Sequence, residues 1–319
     1  MNEIENDRKL RDCYSSKSIM LSIIIVNWNT REALLNCLNA IYGTIKDIDF
    51  ETFVVDNAST DNSQKAVKDF FPSVKLIENK ENLGFAKANN QALKLMKGEY
   101  ALLLNSDTIT TDGAITKILR FMELNRNVGI CGGQLLNKDG TKQRSFDNIS
   151  TPLTDLINNT ALRIIFPKKY LGRKCKFDKP VEVESIIGAC MMVRKKAIDN
   201  VGLMDENFFF YYEDMDWCYR MKKRGWNISF YPDAFIYHIR GESSKQLNEK
   251  ATIEFLKSKY YFFKKHYDKK TIILHEIGLL LKTIVGIISN SLFAIFKRGN
   301  IKKVRKYIVV LLWHLKRKA

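Results

Sequence analysis

LSIIIVNWN, residues Leu21–Asn29, is a short apolar run rich in β-branched side chains that ends in asparagine and tryptophan. Such a run shows no alternation of polar and apolar positions. It reads as a strand buried on both faces, the kind found in parallel sheets. Behind it, TREALLNCLNAIY (Thr30–Tyr42) carries apolar residues at helical spacing, with Thr30 placed to cap. FETFVVD (Phe50–Asp56) repeats the strand pattern, and Asn57–Ser63 is a turn leading into a helix through about Phe71. VKLIEN (Val74–Asn79), a helix from about Phe85 to Met96, and YALLLNSD (Tyr100–Asp107) complete the series. Strand and helix in strict alternation predict a doubly wound α/β domain with a mostly parallel sheet. In such sheets the ligand sits outside the carboxyl ends of the strands. The polar groups Asn27–Asn29, Asp56–Asn57, Asn82–Phe85 and Asn105–Asp107 all fall at or just past those ends.

Further along, residues 135–183 are irregular, with basic and aromatic side chains. ESIIGACMMVRK (Glu184–Lys195) reads as a strand, Lys196–Val201 and Glu213–Gly225 as helices, and ISFYPDAFIYHI (Ile228–Ile239) as one or two strands.

Four places carry chemistry. Asp107 ends an apolar strand, where a carboxylate projected into a crevice suits a hard divalent cation that bridges phosphate oxygens; it equally suits capping of the following turn. Asp56, also at a strand end, either accepts a nucleotide base N–H or starts a turn with Asn57. In FFFYYEDMDWCYR (Phe208–Arg220), Glu213, Asp214 and Asp216 follow five consecutive aromatics. A carboxylate in an aromatic cleft has a raised pKa and serves as a base, while acids at a helix start also serve as caps. His238, after the strand AFIY, is either structural or a further metal ligand. The chain has no GxGxxG, GxxxxGK[ST], HExxH or GxSxG.

Taken as an ordered set, VNWN (Val26–Asn29), VVDNASTDNS (Val54–Ser63), NLGFAKANN (Asn82–Asn90), LLLNSD (Leu102–Asp107), GACMMVRK (Gly188–Lys195), YYEDMDWCYR (Tyr211–Arg220) and YHIRGES (Tyr237–Ser243) resemble the family 2 glycosyltransferases of GT-A fold, and their rhamnosyltransferase-like branch in particular. The resemblance spans about residues 20–245. It implies an inverting transferase that takes a dTDP- or UDP-sugar as donor, with Mg²⁺ or Mn²⁺, and delivers the sugar to a glycan or lipid-linked acceptor of the cell surface. Val26, Asn27 and Trp28 would border the base, and Asp56 would receive its imide N–H. Asn82, Gly84 and Phe85 would shape the donor pocket, with Asn105 and Ser106 on the donor side. Asp107 and His238 would hold the metal, in a motif that is often DxD and here begins with Asn105. Asp214 would be the general base, with Glu213 beside it. Gly188 and Ala189 would leave room for the acceptor. Rival classes are a sugar nucleotidyltransferase, whose glycine-rich loop is missing after the first strand, and a non-catalytic module that binds membrane or nucleic acid.

The 319 residues carry a formal charge of +17. Residues 245–319 hold 18 Lys and Arg against 4 Asp and Glu, a local balance of +14, so the basicity belongs to the tail. Thr271–Phe296 is apolar but interrupted by His275, Glu276 and Lys282. It predicts helices lying on an anionic cytoplasmic membrane surface, with no nucleic acid as partner. The expected division is a polar leader over 1–18, a catalytic domain over 19–245 and a basic helical region over 246–319. MNEIENDRKLRD has no apolar core and does not read as a signal peptide. The six cysteines form no CxxC pair and read as free thiols in a reducing compartment.

Overall fold

In the computed structural model, residues 20–157, 177–239 and 248–294 are described, with positions 162, 164–166, 170, 308 and 311. The predicted leader, Cys13, Cys175, Arg240–Ser243 of the last motif and the cationic run 297–306 lie outside the described residues.

Strand β1 (Leu21–Asn27) sits between two parallel neighbours, β2 (Phe50–Asp56) and β4 (Tyr100–Asn105), and β3 (Lys75–Glu78) extends the sheet beyond β2. Ile23, Ile24 and Ile25 are fully buried, as expected of a strand covered on both faces. Each side chain of this size contributes roughly 1.5–3 kcal/mol by leaving water. Helix α1 (Arg31–Thr44) supplies part of the cover with Leu34, Cys37, Leu38 and Ile41, spaced at i, i+3, i+4 and i+7. Thr30 stands at its N-cap, yet its hydroxyl makes no capping bond. It donates to Asn27 Oδ1 at 2.7 Å and lies 2.8 Å from Ser106 Oγ, so the expected cap is spent on the strand ends instead. Helices α2 (Ser63–Phe70) and α3 (Phe85–Leu93) follow β2 and β3.

The rest of the sheet is mixed. After β4 come β5 (Thr108–Thr110), α4 (Ala114–Leu124), β6 (Val128–Leu136) and the short β7 (Phe146–Asp147). Beyond these lie α5 (Pro152–Leu156), β8 (Val181–Glu182), β9 (Ser185–Ile186), β10 (Cys190–Arg194), α6 (Lys195–Val201), α7 (Glu213–Lys223) and β11 (Asn227–His238). Among the described residues the sheet runs β3-β2-β1-β4-β10-β6-β11-β5, with β8 beside β11. The ladders of β1 to β4 and the β6–β11 pair are parallel, and β10 is antiparallel to both neighbours. β11 is one strand whose register shifts between Tyr231 and Phe235, where Pro232 withholds a ladder donor. The segment read as one strand over Glu184–Lys195 breaks at Ile187–Ala189.

The chain divides into two compact units. The first comprises Met1–Asp147, Lys176–Phe209 and Glu213–Gln246; the second comprises Asn148–Cys175, Phe210–Tyr212 and Leu247–Ala319. The sheet belongs to the first. The second contains α5 and two long helices, α8 (Asn248–His266) and α9 (Lys269–Ala294). There, Thr151 caps α5, Asp268 accepts from Thr271 N at 2.7 Å, and Phe255 packs against the rings of Tyr211 and Tyr212. Asp155 on α5 accepts from His275 at 2.8 Å and pairs with Lys259. Burial alone would raise its pKa, but the His275 hydrogen bond and the Lys259 ammonium outweigh it and hold the carboxyl below its usual range.

The described cysteines Cys37, Cys131, Cys190 and Cys218 are buried and unpaired.

Candidate active site

All of the sequence-predicted site residues belong to the first unit. Parallel register sets four of them side by side: Asn27 is opposite Asp56, and Asn105 is opposite Val26. The order reverses at β1, with β2 on one side and β4 on the other, so this edge is the switch point where a crevice opens.

Asp56 is fully buried, and its carboxylate accepts from Asn27 Nδ2 at 2.8 Å, Ser59 N at 2.8 Å and Gln64 Nε2 at 2.6 Å. Three donors leave one of the carboxylate's acceptor positions for a base N–H, and the same bonds give Asp56 a positioning role besides. The carboxylate holds the 57–64 loop, and Asn29 completes the zipper between the two loops. Its N–H donates to Ser59 Oγ at 2.8 Å, and its Oδ1 accepts from Thr60 N at 2.7 Å. Asn29, Ala58 and Asn62 all take left-handed backbone conformations here, a concentration of strain typical of ligand loops. Asn27 is likewise buried in this network, whereas Val26 and Trp28 stay partly open at the rim. Ser106, tied to Thr30, also points inward.

A second corner forms around Asn82–Phe85. Asn82 Oδ1 accepts from Gly84 N at 3.0 Å, and Phe85 N donates to Phe209 O at 2.9 Å. Gly84 has φ +80°, and a Cβ there would stand 2.4 Å from Phe209 O. Gly84→Ala is therefore expected to cost roughly 1–3 kcal/mol in urea unfolding and to weaken donor binding, because strain and clash act on the same loop. An unchanged midpoint would show that the loop relaxes freely.

The third corner holds the acids. Asp214 opens α7, where Oδ2 accepts from Gly188 N at 2.9 Å and Oδ1 accepts from Met215 N at 2.7 Å. A Cβ on Gly188 would meet Asp214 and Phe85 at 3.5 Å, so these three residues adjoin. Burial pushes the Asp214 pKa up, the two N–H bonds pull it back in part, and the charge of Asp147 adds to the rise. Glu213 is buried, with Oε2 lacking any hydrogen-bond partner. Burial, and then the neighbouring charge of Asp214, push its pKa well above the ordinary 4.5. The third acid, Asp216, is structural: it pairs with Arg220 at 2.7 Å, whose guanidinium also caps the carbonyls of Val201 and Leu203. Ala189 is buried, and its carbonyl accepts from Asn105 N at 3.1 Å, which ties β4 to the turn before β10.

The raised Glu213 pKa has a consequence for stability. The folded state binds its proton more tightly than the unfolded state does. Stability is therefore fully present below pH 4.5 and is lost as pH rises toward the folded-state pKa. Glu213→Gln is expected to flatten the decline of Tm that sets in above pH 4.5, measured by thermal melts at stepped pH; a slope identical to wild type would refute it.

The fourth corner is Asp107 with His238. Asp107 Oδ1 and His238 Nε2 are 3.3 Å apart, both side chains about a tenth exposed, and Asn105 Nδ2 lies 3.4 Å from the same ring nitrogen. β5 and β11 bring them together, pairing His238 with Thr108. The sequence reading missed Gln143. Its Nε2 donates to the carbonyls of Leu136 and His238, at 3.1 and 2.5 Å, which orients the amide. Its Oε1 then accepts from His238 Nδ1, 3.1 Å away. With Nδ1 donating, Nε2 is the acceptor in its contact with Asn105 Nδ2 and also faces the Asp107 carboxylate, an arrangement that suits a shared cation. Among the described residues no three acidic, histidine or cysteine side chains gather as a closed metal cage. A cation held by this pair would take its remaining ligands from a donor's oxygens.

Comparison with known proteins identifies the family and the fold. The family model described as Glycosyl transferase family 2 matches residues 22–202. The chain is 26% identical over 207 residues to the N-acetylglucosaminyl-diphospho-decaprenol L-rhamnosyltransferase of Mycobacterium tuberculosis, covering 60% of this chain and 67% of that one. It is 27% identical over 228 residues to the dTDP-rhamnosyl transferase RfbF of Shigella flexneri, covering 70% of each. Across three such curated relatives it spans 63% to 70% of their length. Among solved structures, the mannosyltransferase PcManGT of Pyrobaculum calidifontis, in complex with GDP-Man and Mn²⁺, superposes with a TM-score of 0.56 at 15% identity, covering 99% of this chain and 95% of that one. That likeness concerns the fold, which is GT-A. The family match begins in the first core strand and ends just past α6, more than half of the residues, and the chain accordingly belongs to glycosyl transferase family 2.

Proposed function

We propose that this chain is an inverting hexosyltransferase. It moves a sugar, with rhamnose as the leading candidate, from a dTDP- or UDP-sugar to a lipid-linked or polysaccharide acceptor in cell-surface glycan synthesis. The observation that carries the reading is the convergence at one sheet edge of a cation-suited pair, Asp107 and His238, and of a buried acid, Asp214, set against Gly188 and Phe85.

The roles follow from position. Val26, Asn27 and Trp28 line the base side, with Asp56 holding the loop that frames it. Asn82, Gly84 and Phe85 shape the sugar pocket. Asp107 and His238, with Asn105 beside them, would hold Mg²⁺ or Mn²⁺; when bound, the cation neutralises charge on the leaving diphosphate. Asp214 takes the proton of the acceptor hydroxyl as its oxygen attacks the anomeric carbon, and the bond to the diphosphate breaks on the opposite face. One displacement inverts the configuration. Glu213, buried beside Asp214, contacts donor or acceptor. Gly188 leaves the approach open.

The basic tail and the apolar α9 support work at the cytoplasmic surface of a membrane, where a lipid-linked acceptor is presented. The decaprenol-linked acceptor in the name of the mycobacterial relative fits that setting.

A donor-hydrolysis screen tests the reading. Purified protein with Mn²⁺ is given a panel of nucleotide sugars, and released nucleoside diphosphate is measured. Turnover of one pyrimidine donor is expected; metal-independent turnover, or no pyrimidine nucleotide binding by calorimetry, would contradict it. Gln143→Leu is expected to raise the Mn²⁺ concentration needed for half-maximal turnover by about 10–100-fold, because Nδ1 of His238 loses its orienting partner. An unaltered Mn²⁺ titration would reduce Gln143 to packing.

A further inference from the structure

α9 is apolar over Lys269–Ser291, a 23-residue stretch of mean hydropathy 1.9. Only 11% of its most apolar window is buried. Length and composition alone would let it cross a bilayer, but its contacts within the second unit argue otherwise. Two of the polar groups that interrupt it, His275 and Lys282, turn toward α5. His275 Nε2 bonds to Asp155 Oδ2 at 2.8 Å, with its ring stacked on Phe263 at 4.1 Å. Lys282 Nζ donates to Asp155 O. Between them Gly278 sits so close to Leu156 that a Cβ would approach it to 2.6 Å. Lys259 from α8 joins the same carboxylate. One acid on a short capped helix therefore fastens one side of α9 to polar, hydrogen-bonded protein. A helix so encumbered cannot be lipid-covered all round.

The other side is open. Ile273, Leu274, Ile277, Leu281, Val285 and Ile288 are 50% to 69% exposed. At 3.6 residues per turn these six fall within an arc of about 120°. His275 and Lys282 lie together on a different arc, centred roughly 130° away. α9 thus separates into a side fastened through Asp155 and an apolar side that no described residue covers.

The charge distribution names the occupant. Lys264, Lys265, Lys269 and Lys270 flank the N-terminal end of α9, and the sequence past its other end, residues 297–306, contains six Lys and Arg. An apolar stripe between two cationic flanks is complementary to an anionic lipid leaflet, with headgroup charge at both ends and acyl chains between. Resting on the membrane-surface reading above, we infer that α9 lies in the plane of an anionic bilayer with these six residues embedded, and that the Asp155 anchor keeps it from spanning.

Full-length protein floated with phosphatidylglycerol–phosphatidylethanolamine vesicles is the test. Wild type is expected to float with these vesicles, and to fall by about tenfold or more with phosphatidylcholine alone or at high salt. It should be stripped from the vesicles by alkaline carbonate. The triple variant Leu274→Glu/Leu281→Glu/Ile288→Glu alters only exposed positions. It is expected to lose about tenfold or more of the bound fraction with its thermal melt and its donor hydrolysis in solution unchanged. Vesicle binding is read without turnover, so a silent donor screen leaves this measurement standing. Wild-type retention by the triple variant would overturn the inference, and so would carbonate-resistant binding, the mark of a spanning helix. A wild-type dimer in light scattering that the triple variant lacks, with no vesicle binding, would assign the face to a second copy instead.

Discussion

Asp214→Asn is expected to lower turnover by about 10²–10⁴-fold while donor affinity stays within a few-fold of wild type, the usual range for loss of a general base. The carboxylate is fixed at both oxygens by backbone N–H groups of Gly188 and Met215, and it adjoins Phe85 and the unsubstituted Cα of Gly188. The pH dependence follows from its raised pKa. The base works only when ionised, so the rate falls as pH drops, and the fall sets in above the ordinary aspartate value of 3.8. Asp214→Asn should erase that acid limb along with most of the activity. A variant that keeps the limb would show that another group titrates.

Asp107→Ala is expected to act earlier, on donor capture. Removing the carboxylate leaves His238 alone at the cation corner, with only Asn105 beside it. The metal's several kcal/mol of charge stabilisation are then lost from both binding and turnover, a fall in kcat/KM of roughly 10²–10⁴-fold. Calorimetry with a pyrimidine diphosphate should show Mn²⁺-dependent binding in wild type and none in this variant. Asp107 also supports its loop through its backbone carbonyl, which accepts from Ile239 N at 2.8 Å and which the substitution leaves in place. The fold should survive, and a normal thermal melt would separate loss of metal from loss of structure.

The parallel half of the sheet was legible because β1, β2 and β4 each carry an apolar run that stops at a polar end, and the helices between the strands keep helical spacing. β6, VGICGGQLL, is buried along its whole length yet escaped reading, since three glycines hide its apolar pattern. The raised pKa values of Asp214 and Glu213 were legible because acids directly after five aromatics are hard to reconcile with a solvated face. The bracing bonds of Asp56 were not, because a strand-end carboxylate looks the same in sequence whether it faces a ligand or braces a turn. Its three internal donors, drawn from Asn27, Ser59 and Gln64, become visible only in three dimensions. Thr30 failed as a helix cap for the same reason: Asn27 and Ser106 compete for its hydroxyl. Gln143 sits in the irregular middle segment, where no periodicity marks it, and it gains meaning only from the ring of His238.

The account assigns two corners of one crevice to separate tasks, donor capture at Asp107 and His238 and proton removal at Asp214. The most direct test measures donor binding and turnover together in Asp107→Ala and Asp214→Asn, at saturating Mn²⁺ and with the donor found in the screen. The account predicts that Asp107→Ala loses binding, whereas Asp214→Asn binds normally and does not turn over. Normal donor binding by Asp107→Ala, or full turnover by Asp214→Asn, would contradict it.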